Sequence, residues 1–198
     1  MISRGISPSP LPWNDTLGGR RSRLFTGPYS TSSNTRVKKA TARKALHIQE
    51  ILGPDYAVLE FETSTRSAAE AAAAVGCEVA QIAKTLVFRT EDGTPLLVIA
   101  SGAHRVDEAA VGAALGRTIE RADADFVRDA TGYAIGGVPP VGHRRRLPVL
   151  LDETLLAHDE IWAAAGTPSA VFRLSPAALA ELTGGTFVSV LKGSAESR

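Results

Sequence analysis

The sequence predicts an α+β fold, on three observations. Strand-like stretches pair through a tight turn into at least one hairpin. Helical stretches occur singly between strands, each opened by a capping residue or closed by glycine. The order of strands and helices does not alternate strictly, as a doubly wound sheet would require. No internal repeat is visible. The 198 residues, 44% hydrophobic and 22% charged, allow one soluble domain with a real core, with or without a tail.

Residues 1–36 are rich in Ser, Pro, Gly and Thr and carry no sustained apolar period. Three readings compete for them: a disordered basic tail, an Arg- and Ser-rich presequence, or translation starting near Val37. Four prolines in the first 28 residues work against the amphipathic helix of a presequence. We therefore expect a disordered basic tail over 1–40 and one domain over 41–192. The domain opens with "TARKALHIQEIL", where Ala45, Ile48 and Leu52 share one helical face before Gly53-Pro54 ends it. "AVLEF" (57–61) is a short strand. Ser67 caps the alanine-rich helix "AAEAAAAVG", which Gly76 closes. "KTLVFR" (84–89), the turn "EDGTP" and "LLVIA" (96–100) form the hairpin. Asp107 caps a helix ending at Gly116, and a further short helix over 123–132 stops at Gly132. A loop-rich stretch, "YAIGGVPPVGHRRRLPVLLD", ends in the strand "PVLL". "EIWAAAG" and "AVFRL" (170–174) read as strands. Ser175-Pro176 starts the last helix, with proline in its first turn, and "TFVSV" (186–190) is the closing strand.

Charge is divided along the chain. Residues 1–46 hold nine Lys/Arg and one acid, whereas the rest holds 13 basic and 20 acidic residues. The body is thus mildly acidic, and only local patches could attract nucleic acid. The single cysteine, Cys77, rules out an internal disulfide and fits a reducing compartment, so a cytoplasmic location is expected. No apolar run reaches the roughly 20 residues that span a bilayer. His47, His104, His143 and His158 are scattered, with no ligand spacing to each other or to Cys77, so no metal site is expected. Walker, GxGxxG and GxSxG signatures are absent.

Two features could carry chemistry. Lys84 falls within a strand and shares a face with Leu86 and Phe88. Its ammonium either snorkels to an edge or sits in a pocket beside an anion or polarised carbonyl. "GGVPP" (136–140) pairs two glycines with two prolines, so its backbone is fixed and open to close approach, and its N–H groups could hold a carbonyl or oxyanion. Arg144, Arg145 and Arg146 follow directly, either as a solvated basic turn or as a phosphate clamp. Together the three suit an ester or phosphate substrate at the end of a nucleic acid.

These residues resemble the YbaK/ProX family of aminoacyl-tRNA deacylases, relatives of the editing domain of bacterial prolyl-tRNA synthetase. The likeness runs from about His47 to Val190. It rests on "AAAAVGCEVAQIAKTLVF", "VIASGAHRVD", "TGYAIGGVPPVG" and "LPVLLDETLLAHDEIWAAAG" in that order. The resemblance implies a mixed, barrel-like sheet flanked by helices and a free-standing trans-editing hydrolase. It makes Lys84 the essential lysine and Gly136 and Pro140 the ends of a substrate-contacting loop that includes Gly137 and Val138. Thr85 and Asp152 match further substrate-binding positions. Gly102 is a further substrate-binding candidate, and from the charge cluster itself we expect Arg144, Arg145 and Arg146 to contact tRNA phosphates. No metal or cofactor is implied, since a water helped by a ribose hydroxyl attacks the ester. The expected substrate is tRNA(Pro) carrying Cys, Ala or another small residue, presented by its acceptor end, with a synthetase as a possible delivery partner. The rival class is a non-catalytic module that holds a nucleotide, an RNA end or a synthetase. Ala103, Pro139 and the lack of a histidine in "ETSTRSAAEAA" (62–72) depart from the family pattern around the pocket, which bears on the amino acid selected more than on the reaction.

Overall fold

The computed structural model describes residues 37–62, 65 and 67–191. Residues 1–36 of the expected tail and the last residue of the expected domain, 192, lie outside the described residues. Nine strands and five α-helices follow in the order β1 (Val37–Lys39), α1 (Arg43–Leu52), β2 (Val58–Phe61), α2 (Ala68–Val75), β3 (Ile82–Thr90), β4 (Pro95–Ser101), α3 (Glu108–Leu115), β5 (Ile119–Arg121), α4 (Ala124–Thr131), β6 (Val149–Asp152), β7 (Ile161–Ala164), β8 (Ala170–Leu174), α5 (Pro176–Thr183) and β9 (Thr186–Val188). Ser67, Asp107 and Ser175 cap α2, α3 and α5 by accepting from main-chain N–H groups one turn inside. Glycines in left-handed conformation end α2, α3, α4 and α5. Two strands went unread in the sequence. β1 lies in the segment expected as tail and pairs with β2, and β5 pairs with the end of β3.

The strands form one mixed sheet in the order β1-β2-β8-β7-β3-β4-β6-β9, with β5 set off this path against β3. The α+β class holds, and the sheet is mixed as expected. It is open, however: its two ends, β1 and β9, do not pair, so the barrel-like closure is corrected to an open sheet. Closure depends on tilt and stagger summed over all strands, which no local stretch encodes.

Helices cover both faces. On one, α1, α4 and α5 bury Ala45, Ile48, Val127 and Leu179 against Val87, Leu97, Ile99 and Phe172 in the largest core. On the other, two separate apolar clusters lie side by side. α2 packs Ala71, Ala72 and Ala74 onto Ile82 and Trp162, while α3 packs Val111 near Phe88 and Val98. Side chains alternate along β3, so Ile82, Lys84, Leu86 and Phe88 share that second face. Ile82 belongs to the α2 cluster; Leu86 and Phe88 belong to the α3 cluster. Lys84 sits at the seam between them. A lysine is tolerated in this strand because neither cluster claims its position. Among the described residues no helix is long and apolar enough to cross a membrane.

Candidate functional site

The seam opens into a cavity because β3 is only partly covered on one edge. β7 pairs with Ile82 and Ala83, and β5 pairs with Phe88, Arg89 and Thr90. Between those two ladders, residues 84–87 have no strand partner on that side, although β4 pairs with the whole stretch on the other. The gap is a cavity of about 370 Å³. Its walls come from β3 and β7, from the start of α2 and from two loops, one carrying Gly136 and Val138 and the other Thr167 and Pro168. Among the described residues that line it, Lys84 and Arg121 are the charged groups and none is a carboxylate. It is an apolar chamber with two cations.

The Lys84 ammonium is moored from behind. Its Nζ donates to the carbonyls of Gly102, at 3.5 Å, and His104. Those carbonyls belong to the loop after β4, and Asp152 shapes that loop. Asp152 is fully buried, and its Oδ2 accepts from the Ser101 N–H at 3.0 Å and lies 3.4 Å from His104 Nδ1. Its Oδ1 accepts from the Thr154 N–H at 3.0 Å and the Thr154 hydroxyl at 2.7 Å. Burial pushes the Asp152 carboxyl up, but the hydrogen bonds from Thr154, Ser101 and His104 outweigh it and hold the pKa below the ordinary carboxylate value. Burial lowers the pKa of Lys84; Asp152 opposes this, and Arg121 and Arg105 add to it. The result is a half-buried cation whose position is fixed by two carbonyls.

Of the residues singled out from the sequence, Lys84, Thr85, Gly136 and Val138 line the cavity. Gly136 has φ of 86°, where only glycine sits without strain. At Gly137 a Cβ would come within 2.7–2.9 Å of the Thr167–Pro168 backbone, so the two loops can pack only with glycine there. The Gly137 N–H already donates to Ala134 O at 3.0 Å, and the two prolines have none, which leaves Gly136 and Val138 as the loop's free-standing candidates for donors. Pro140 is buried outside the lining, Gly102 contributes its carbonyl to Lys84, and Asp152 stands behind that carbonyl. At Gly102 a Cβ would meet Val79 O at 2.5 Å, so this position too is closed to side chains. Arg144, Arg145 and Arg146 are exposed and line no part of the cavity. Arg144 instead borders a second depression with Arg43, Lys44, His47 and Tyr133, and the Arg146 guanidinium lies against Gly184 at the end of α5. Sequence reasoning missed Arg121, His104 and Thr154. His104 was visible only as a histidine without ligand spacing, and its 48-residue separation from Asp152 hid the contact. Among the described residues no cluster of three or more His, Cys, Asp or Glu could hold a metal ion. The Cys77 thiol is pushed up to about 11 by burial and by Glu78, so it is a poor nucleophile.

Thr85 has a buried hydroxyl with no hydrogen-bond partner among the described residues. An unpaired buried hydroxyl costs about 1–3 kcal/mol. Thr85→Val keeps the shape and removes that cost, so its melting temperature is expected to rise by roughly 2–4 °C, the shift that about 1 kcal/mol gives in a protein of this size. Calorimetry checks this, and a fall of the same size would mean that the hydroxyl has a structural partner.

Comparison with known proteins gives the following. Residues 62–182 match the family described as the aminoacyl-tRNA editing domain. The uncharacterized YwhH of Bacillus subtilis is 32% identical over 126 residues, which is 64% of this chain and 80% of YwhH. EbsC of Enterococcus faecalis, a candidate Cys-tRNA(Pro)/Cys-tRNA(Cys) deacylase, is 29% identical over 159 residues, 78% of this chain and 97% of EbsC. The crystal structure of a candidate trans-editing enzyme for prolyl-tRNA synthetase superposes with a TM-score of 0.74 at 44% identity, covering 78% of this chain and all of the other.

Proposed function

The chain belongs to the aminoacyl-tRNA editing domain family, and from that premise we propose that it is a trans-editing hydrolase that strips a wrong amino acid from tRNA. The substrate we assign is tRNA(Pro) bearing Cys, Ala or another small residue. The observation that carries this reading is the shared cavity: Lys84, Gly136 and Val138 line one apolar chamber. In the reaction a water oxygen adds to the ester carbonyl carbon. The ester C–O bond then breaks, the ribose oxygen leaves with one of the water's protons, and the amino acid departs as a carboxylate with the other proton released to solvent. An aminoacyl ester is already activated, so positioning and charge stabilisation supply most of what is needed. Lys84 would face the negative charge that develops on the carbonyl oxygen, with the Gly136 and Val138 N–H groups as further donors. The main chain of β3 left without a strand partner would orient the aminoacyl group.

Selection would come from the size of the chamber. Apolar walls separate neighbours in size by only about 1–3 kcal/mol per methylene, so several small residues should be accepted. The test is a panel of Cys-, Ala-, Ser- and Pro-tRNA(Pro) incubated with the protein while loss of the ester is followed. Loss from the small mischarged species with Pro-tRNA(Pro) retained is the expected result. Retention of tRNA by the protein without turnover across the panel would make it a binding module instead.

We also assign Arg144, Arg145 and Arg146 to phosphates farther along the acceptor strand. Replacing all three with Ala should reduce the slope of log binding constant against log salt concentration by about 2, as read by filter binding over a salt series. An unchanged slope would return them to a solvated turn.

A further inference from the structure

Resting on the editing reading, we propose that Arg121 binds the phosphodiester that joins the substrate's terminal nucleoside to the rest of the strand. β5 sets this up through its register. Arg121 pairs with Phe88 across the antiparallel ladder, and directly opposed residues project to the same face of a sheet. Phe88 and Lys84 share a face, so Arg121 emerges on the Lys84 side. The pairing also marks the point where cover on the β3 edge resumes, which puts Arg121 on the rim of the cavity that Lys84 enters from within. Four residues of β3, about 13 Å of strand, separate the two positions, and both long side chains reach the same chamber.

The state of each cation fits a division of labour. Lys84 is half-buried and held by two carbonyls. The Arg121 side chain is 68% exposed and makes a single ion pair, its Nε donating to Glu108 Oε1 at 2.8 Å. That contact fixes the guanidinium plane while its terminal N–H groups have no partner among the described residues, and a guanidinium fork matches the paired oxygens of a phosphate. Arg105 is exposed and follows His104, whose carbonyl holds the Lys84 ammonium. An apolar chamber with one cation inside and another on its rim suits a ligand with an uncharged nucleoside head and an anionic link behind it. Arg144, Arg145 and Arg146 do not line this chamber, so the phosphate nearest the reaction needs another partner.

The experiment compares wild type, Arg121→Gln and Arg121→Lys on two substrates carrying the same amino acid: full aminoacyl-tRNA, and 3′-O-aminoacyladenosine, which has no phosphate. We expect Arg121→Gln to lower kcat/KM for the tRNA about tenfold more than for the adenosine ester, mainly through KM, as loss of a charge-assisted hydrogen bond predicts. Lysine should restore part of the difference. Equal losses on both substrates, or no loss on tRNA, would overturn the assignment. Equilibrium binding of a CCA trinucleotide and of adenosine, measured on the same proteins, separates this inference from the editing reading. If wild type cleaves neither ester, the hydrolase assignment falls; a selective loss of trinucleotide binding in Arg121→Gln would still support the phosphate contact, and equal binding by both proteins would refute it.

Discussion

Lys84→Met is expected to lower kcat/KM for a mischarged aminoacyl-tRNA by about 10²–10³-fold, the usual consequence of removing a group that stabilises a developing oxyanion, while changing stability by no more than about 1 kcal/mol. The stability side follows from two opposing changes. Methionine removes a half-buried ammonium whose burial disfavours its charged form, and it takes a donor away from the Gly102 and His104 carbonyls. Both of those residues are partly exposed, so water can replace the lost donor. The pH profile adds a second reading. In the proposed reaction the ammonium is the working form, and the Lys84 pKa is depressed, so the rate should fall on an alkaline limb below the ordinary lysine value of about 10.4. The residual rate of Lys84→Met should lack that limb. A variant that hydrolyses as fast as wild type would remove Lys84 from the chemistry.

Asp152→Asn is expected to cost about 2–4 kcal/mol and to depress activity through the position of Lys84. Each carboxylate oxygen accepts from a main-chain N–H, Oδ1 from Thr154 and Oδ2 from Ser101. Whichever way the asparagine amide turns, its NH₂ confronts one of those donors in a fully buried site. The Ser101–His104 loop must shift, and the carbonyls that hold Lys84 shift with it. The folded-state pKa of Asp152 lies below the ordinary value, so its contribution to stability is present above the unfolded carboxyl pKa and is lost as pH falls through the folded one. The gap between wild type and variant should therefore be widest near neutrality and shrink toward strongly acid pH. Urea titrations at several pH values measure it, and a gap that is constant with pH would mean that the ionised carboxyl is not what stabilises the loop.

Much of the fold could be read along the chain because its signals are local. Caps at Ser67, Asp107 and Ser175, closing glycines, and the β-branched hairpin strands each announce themselves within a few residues. "VKK" and "IER" do not, since three residues with two charges carry no period, and β1 and β5 become strands only through their partners. The site divides the same way. Lys84 stood out as a charge in a buried strand, and the Gly136–Pro140 loop by its composition. Arg121 is placed by its register with Phe88, 33 residues away, and His104 meets Asp152 across 48 residues of chain, where type and spacing say nothing.

The uncovered stretch of β3 has a bearing on how such a pocket can change over evolution. Its length is the interval between where one neighbouring strand lets go and the next takes hold. A slip of one residue would turn every side chain of the moving strand to the wrong face, so a change of register can alter the aperture only in two-residue jumps of about 7 Å. Finer adjustment is then left to trimming or extending a strand end and to the loops and side chains around the opening.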